Sequence, residues 1–129
     1  MKQILIVDDE SDVGETIQGI IESYSENDGD YQSKFVTSAK QAQDLLKTEK
    51  FDLVITDLLM PETNGIELTD FIHRNHPHIK ILACSGGGQS GPLVAGMALD
   101  QALEEGADNA ILKPFSPEEL MTKIANLLK

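Results

Sequence analysis

The 129-residue sequence contains no tryptophan, and two tyrosines and four phenylalanines are its only aromatics apart from three histidines. Its core must therefore be mostly aliphatic. There is one cysteine, Cys84, so no internal disulfide can form. Cys84 lies in an apolar run, which fits a buried, inert thiol better than a nucleophile. Nothing points to an oxidising compartment. No stretch approaches the ~18 apolar residues of a membrane span. The four consecutive apolar residues near the start are too few for the apolar segment of a signal peptide. A soluble, cytoplasmic protein without membrane insertion is expected.

Positive charge is scarce too. Ten Lys and Arg stand against 22 Asp and Glu, for a formal net charge of −12 and a pI near 4.4. Such a surface repels phosphate, and no local basic patch offsets it, so direct nucleic-acid binding is not expected. The general acidity by itself implies only solubility. What is present is ordinary for a globular chain: 40% apolar and 25% charged residues. That allows a real core in one domain spanning 1–129, without metal or disulfide staples. There is no internal repeat or low-complexity tract. The final helical pattern runs to Lys129, so no attached output module is expected.

Five short β-like segments alternate with amphipathic ones. Ile4 to Val7 is a continuous apolar run ending in Asp8-Asp9. Continuity, rather than alternation, indicates a strand covered on both faces. Val13, Ile17, Ile20, Ile21 and Tyr24 then recur at helical spacing, and SENDGD (25–30) reads as a polar loop. Ser33–Thr37 is a second strand. Ser38 and Gln41 have the spacing of a capping box ahead of Ala42, Leu45 and Leu46. Phe51–Thr56 is a third strand leading into Asp57, and Asn64 with Glu67 opens the next helix. Ile79–Cys84 is a fourth strand, Pro92–Glu105 a helix stopped by Gly106, and Ala110–Leu112 a short fifth strand. Ser116, Pro117 and Glu119 mark the start of the last helix. The pattern predicts an α/β three-layer sandwich around a five-stranded parallel sheet. Right-handed crossovers place all the strand C-termini on one edge, where such sheets bind their ligands.

At or just past those strand ends stand Asp8 and Asp9, then Thr37, Asp57, Ser85 and Lys113. Clustered carboxylates repel one another, and a hard divalent cation relieves the repulsion. Few carboxylates with open positions suit Mg²⁺ better than a Ca²⁺ cage. The Ca²⁺-loop pattern is also absent from residues 8–19. Metal, ammonium and hydroxyl are the groups needed around a transferring phosphoryl group. Asp57, central among them, is then a candidate nucleophile forming an aspartyl phosphate.

At this point the chain resembles, from end to end, the receiver domain of bacterial two-component response regulators of the single-domain, chemotaxis-regulator kind. The resemblance rests on ILIVDDE, on D-x-x-M-P-x-x-x-G from Asp57 to Gly65, and on the Ser85 hydroxyl ending the fourth strand. GAD at 106–108 and Lys113-Pro114-Phe115 complete it. Each piece is weak alone, but five in order are specific. The resemblance implies a flavodoxin-like, doubly wound sheet in order 2-1-3-4-5. It implies that Asp57 accepts a phosphoryl group from a phosphohistidine on a histidine kinase or phosphotransfer protein. Asp8, Asp9 and Asp57 would hold Mg²⁺ together with the Leu59 backbone carbonyl. Ser85 would hydrogen-bond the phosphoryl group and Lys113 would pair with it. The Lys113-Pro114 bond would be cis, against a prior of ~5–6%. Beyond its own phosphotransfer and autodephosphorylation no enzymatic activity is implied, and output passes through contacts with an unknown downstream protein.

Simpler readings compete at each position. Adjacent acids also cap helices, an Asp before a proline turns the chain, and lysines are mostly solvated. It is the combination that outweighs them. His73, His76 and His78 lack an acid or cysteine to complete a metal site. GGGQSG (86–91) matches G-x-G-x-x-G, but it follows the fourth strand and no acid ends the next one. This loop is several residues longer than the family pattern, and its glycines predict mobility before phosphorylation. Ala110 is a second departure, since the family carries an aromatic switch residue there. Rival readings are a pseudo-receiver scaffold, a Mg²⁺-dependent aspartyl-phosphate phosphatase and a flavodoxin-like FMN carrier. The phosphatase needs an acid where Leu59 stands. The FMN carrier needs a phosphate loop where Asp8 and Asp9 stand.

Overall fold

A computed structural model describes residues 1–28, 31–60, 65–86 and 91–129. Elements alternate as β1 (Lys2–Val7), α1 (Ser11–Asp28), β2 (Tyr31–Val36), α2 (Ala39–Thr48), β3 (Leu53–Asp57), α3 (Gly65–Asn75), β4 (Lys80–Ser85), α4 (Gly91–Glu105), β5 (Asn109–Leu112) and α5 (Pro117–Leu127). The strands form one sheet in the order β2-β1-β3-β4-β5. Every neighbouring pair is parallel. This is the doubly wound flavodoxin-like sheet anticipated above.

Strand parity builds the two cores. Successive side chains of a strand face opposite sides of the sheet. Leu5, Val7, Val54, Ile81 and Ala83 pack with Ala42 and Leu46 of α2, Leu68 and Ile72 of α3, and Ala98 and Ala102 of α4. Ile4, Ile6, Leu53, Ile55, Leu82 and Cys84 pack with Ile17 and Ile21 of α1 and Leu120 and Ile124 of α5. Both faces are covered, so the strands read as continuous apolar runs.

The boundaries differ from expectation in instructive places. Residues 25–28 of the expected loop continue α1. Polar composition does not end a helix already docked by Ile17 and Ile21, because extending a formed helix costs little per residue. The second strand starts earlier, at Tyr31, because Tyr31 and Gln32 pair in register with Lys2 and Gln3. The third starts later, at Leu53, because Asp52 is tied to Gln3 from both sides: Asp52 N–H donates to the Gln3 carbonyl (2.8 Å), and Gln3 N–H donates to the Asp52 carboxylate (2.8 Å). Ser85 is the last residue of β4 rather than the first beyond it.

Both expected N-caps are present. The Gln41 N–H donates to Ser38 Oγ (3.1 Å) and the Glu119 N–H to Ser116 Oγ (3.0 Å). The α2 cap is not a reciprocal box, however. Gln41 Oε1 accepts instead from the Thr37 N–H (2.9 Å) and hydroxyl (3.1 Å), one residue further back. Gly106 ends α4 with φ +122°, a conformation that favours glycine, and His73 packs where a Cβ would stand. The helix start expected at Asn64 and most of the 86–91 loop fall outside the described residues. No described helix is long and apolar enough to cross a membrane.

Candidate functional site

The same parity that builds the core builds the site. Ile4, Ile6 and Asp8 follow one another on one face; so do Leu53, Ile55 and Asp57, and Ile111 and Lys113. Three of the apolar rows on the α1/α5 side, those of β1, β3 and β5, thus end at the carboxyl edge in a charged residue, while the β4 row of Leu82 and Cys84 ends at Gly86. Asp8 is buried at 1% exposure and Asp57 at 6%. Two buried carboxylates demand compensation. Lys113 supplies part of it: its Nζ donates to Asp8 Oδ2 at 2.9 Å and stands 3.6 Å from Asp57 Oδ1. Asp8 Oδ1 also accepts the Glu10 N–H at 2.9 Å, so Asp8 helps turn the chain into α1 while facing the lysine. The capping role and the site role coexist in one side chain.

Asp9 is exposed, yet its carboxylate joins the other two: one oxygen from each of Asp8, Asp9 and Asp57 lies within 4.8 Å of the others. Among the described residues this is the only group of three or more His, Cys, Asp or Glu side chains able to hold a metal ion. The histidines do not converge in that way. His76 and His78 stand ring to edge at 6.3 Å, while His73 packs on Gly106.

The electrostatics follow the crowding. Burial, the largest cause, pushes the Asp57 carboxyl up from 3.8 to about 6. Lys113 pulls it back, Asp8 and Asp9 raise it again, and the Leu58 N–H lowers it slightly. Burial depresses the Lys113 ammonium, the Asp57 and Asp8 carboxylates raise it, and the net shift is upward. Burial pushes the Cys84 thiol up to about 12. It stays a protonated wall of the core beside Asp57, its register partner.

Ser85 is fully buried at the end of β4, and its Oγ has no hydrogen-bond partner among the described residues. An orphaned buried hydroxyl is costly, and such a group calls for a ligand or water. The Ser85 carbonyl accepts the Lys113 N–H at 2.9 Å, tying the ends of β4 and β5. The Lys113-Pro114 peptide is cis. Leu59, two residues past Asp57, exposes its side chain. Thr37 does not join the group: its exposed hydroxyl is bound to Gln41. Ala110 is half-buried against the α2/α3/α4 core, with no ring to reposition.

Sequence reasoning named Gly65 only as a motif letter. A Cβ there would lie 2.1 Å from the Asp57 carbonyl oxygen and 2.7 Å from Leu58 Cα. The start of α3 therefore sits against the backbone of the candidate acceptor, and only glycine lets it approach. The signal was available in the D-x-x-M-P-x-x-x-G spacing, but the contact that explains it was not.

Comparison with known proteins follows the same lines. Residues 4–125 match the model of the response regulator receiver domain. The response regulator SaeR of Staphylococcus aureus is 34% identical over 128 residues, a match that covers 99% of this chain and 51% of that protein. The chain thus spans about half the length of the curated relatives it matches. Among solved structures, a CheY-like response regulator receiver domain protein from Methanospirillum hungatei is 28% identical, with a TM-score of 0.83 over 99% of this chain and 94% of that one. The signal receiver domain of an HD domain-containing protein from Pseudomonas fluorescens is 25% identical, with a TM-score of 0.84 over 98% and 86%.

Proposed function

The chain belongs to the response regulator receiver domain family of two-component signalling, and from that membership we propose that Asp57 is its phospho-acceptor. The observation that carries this is the convergence of Asp8, Asp9 and Asp57 within 4.8 Å beside the Lys113 ammonium. Residues 1–129 are read as one receiver unit. Its donor is a histidine kinase or histidine phosphotransfer protein, and its target a downstream protein reached through surface contacts.

The donor set fits a divalent cation: hard carboxylate oxygens, mutually repelling, with Asp9 open to solvent. Mg²⁺ suits few carboxylates with open positions, and Asp8, Asp9, Asp57 and the Leu59 carbonyl would hold it. When bound, the cation supplies positive charge that offsets the carboxylates and the phosphoryl oxygens.

The rest is done by this chain. An Asp57 oxygen forms a bond to phosphorus as the N–P bond of the phosphohistidine breaks. The electron pair returns to the imidazole nitrogen, which takes a proton. In the metal-free protein a carboxyl pushed up to about 6 is still mostly ionised at neutral pH, and the ionised form is the nucleophile. Lys113 exchanges part of its pairing with Asp57 for the arriving phosphoryl oxygens, and the Ser85 hydroxyl gains an acceptor. In hydrolysis, water attacks phosphorus and Asp57 leaves as carboxylate. With Ala110 in the aromatic's place, the population shift either travels through other groups or is small.

The test is intact mass after incubation with acetyl phosphate and Mg²⁺. Wild-type protein should gain one phosphoryl group. Asp57→Asn, or omission of Mg²⁺, should abolish the gain. A folded wild-type protein that gains nothing, from acetyl phosphate or from a histidine kinase, would favour the scaffold reading instead.

A further inference from the structure

Thr56 is an odd choice for its position. It is fully buried, paired in register with Val7 on one side and Ala83 on the other. The other strand-core positions of β3 before Asp57 are Leu53, Val54 and Ile55. Valine has nearly the same shape and would avoid burying a hydroxyl. The hydroxyl is used: Thr56 Oγ1 donates to the Asp57 carbonyl oxygen at 3.0 Å.

That carbonyl is the oxygen against which Gly65 packs. The next links are also tied. The Leu58 N–H donates to the Cys84 carbonyl (3.1 Å), and the Leu58 carbonyl accepts the Gly65 N–H (3.0 Å). The backbone leaving β3 is thus held at three consecutive groups, and the first of the three ties is a side chain. Rotation of the Asp57–Leu58 peptide would disturb both the Asp57 carboxylate and, two peptides on, the Leu59 carbonyl.

We propose that Thr56 is a positioning residue for the acceptor site: by holding the Asp57 carbonyl, its hydroxyl sets the direction of the Asp57–Leu59 backbone and so the placing of the groups that bind Mg²⁺ and receive phosphate. The proposal rests on the reading of Asp57 given above. Groups that orient ligands without touching the metal commonly matter to affinity, and small misplacements matter to rate.

The experiment compares wild type with Thr56→Val, Thr56→Ala and Thr56→Ser. Mg²⁺ affinity is read by calorimetry, phosphoryl gain from acetyl phosphate by intact mass, and folding by urea titration. Thr56→Val should fold, weaken Mg²⁺ binding roughly tenfold and slow phosphoryl gain, while Thr56→Ser stays close to wild type on both. A folded Thr56→Val with wild-type affinity and rate overturns the proposal. So does a Thr56→Ser impaired as much as Thr56→Val, because packing rather than the hydroxyl would then be responsible. If Thr56→Val does not fold, Ala against Ser decides by the same criteria. A wild-type protein that neither binds Mg²⁺ nor gains a phosphoryl group overturns the assignment of Asp57, and this role with it.

Discussion

The two edges of the sheet use aspartate in opposite ways. At the amino edge, Asp52 and Asp108 stand just before strands. The Asp52 carboxylate accepts the Gln3 N–H and that of Asp108 accepts the Ile81 N–H, each at 2.8 Å. Their own N–H groups donate back to the Gln3 and Ile81 carbonyls at 2.8 and 2.9 Å. Strand starts present amides that the ladder has not yet used, and a carboxylate meets that need. At the carboxyl edge the strands run out in carbonyls, and a single local N–H, that of Glu10, meets Asp8 there. Asp8, Asp9 and Asp57 gather there with one lysine among them. The difference teaches which acids serve the fold and which are held in reserve: the former exchange paired backbone hydrogen bonds with the neighbouring strand, while of the latter Asp8 and Asp57 share the Lys113 ammonium, with only single local N–H groups beside it.

The largest expected effect comes from breaking the carboxyl edge mechanically. Gly65→Ala drives a methyl into the Asp57 carbonyl and Leu58 Cα, both backbone atoms that cannot swing aside. Overpacking of this kind should lower unfolding free energy by about 3 kcal/mol, measured by urea titration, and should reduce phosphoryl gain in whatever protein folds. A neutral Gly65→Ala would mean that α3 sits further from β3 than described.

Next is the pH dependence of the metal-free protein. The folded Asp57 carboxyl, pushed up from 3.8 to about 6, holds its proton more tightly than the unfolded one. Its contribution to stability is therefore greatest below about pH 4 and is lost as pH rises through about 6. Two units correspond to about 2–3 kcal/mol. Urea midpoints in chelator, wild type against Asp57→Asn, should diverge between pH 4 and 6.5 with the mutant the more stable at pH 7. Added Mg²⁺ should close the gap by raising the wild type alone. Parallel curves would show that burial does not raise the Asp57 carboxyl.

The smallest effect sharpens the comparison from the other side. Asp108→Ala removes the acceptor for the Ile81 N–H, and Asp52→Ala does the same for Gln3. Each should cost about 1–2 kcal/mol at pH 7 and leave Mg²⁺ affinity unchanged. Acids at one edge then stabilise the fold and an acid at the other destabilises it, under the same assay. An Asp108→Ala that weakened Mg²⁺ binding would erase the distinction between the edges.

Much of this was legible in the chain. The alternation of apolar runs with amphipathic segments, the caps at Ser38 and Ser116, the stop at Gly106 and the acids ending apolar runs are rules acting within a few residues. They sufficed for the fold class, the sheet order by resemblance, and the identities of Asp8, Asp9, Asp57, Ser85 and Lys113 as candidates. Local rules erred where composition was weighed without docking: residues 25–28 look like loop and are helix.

The sequence by itself thus determined the elements, their parity and the charged residues that end the rows of β1, β3 and β5, because propensity, periodicity and capping are short-range. Only the tertiary structure decided which polar groups are spent and which are free. Thr37 and Asp52 look as available as Asp9 in the chain, yet one is bound to Gln41 and the other to Gln3. The Ser85 hydroxyl is left without a partner among the described residues, Gly65 is pressed to the acceptor's backbone, and Lys113 reaches Asp8 from 105 residues away. The physical reason is that hydrogen bonds at strand ends are allotted by register between distant segments, and burial then sets how strongly each unpaired charge is felt.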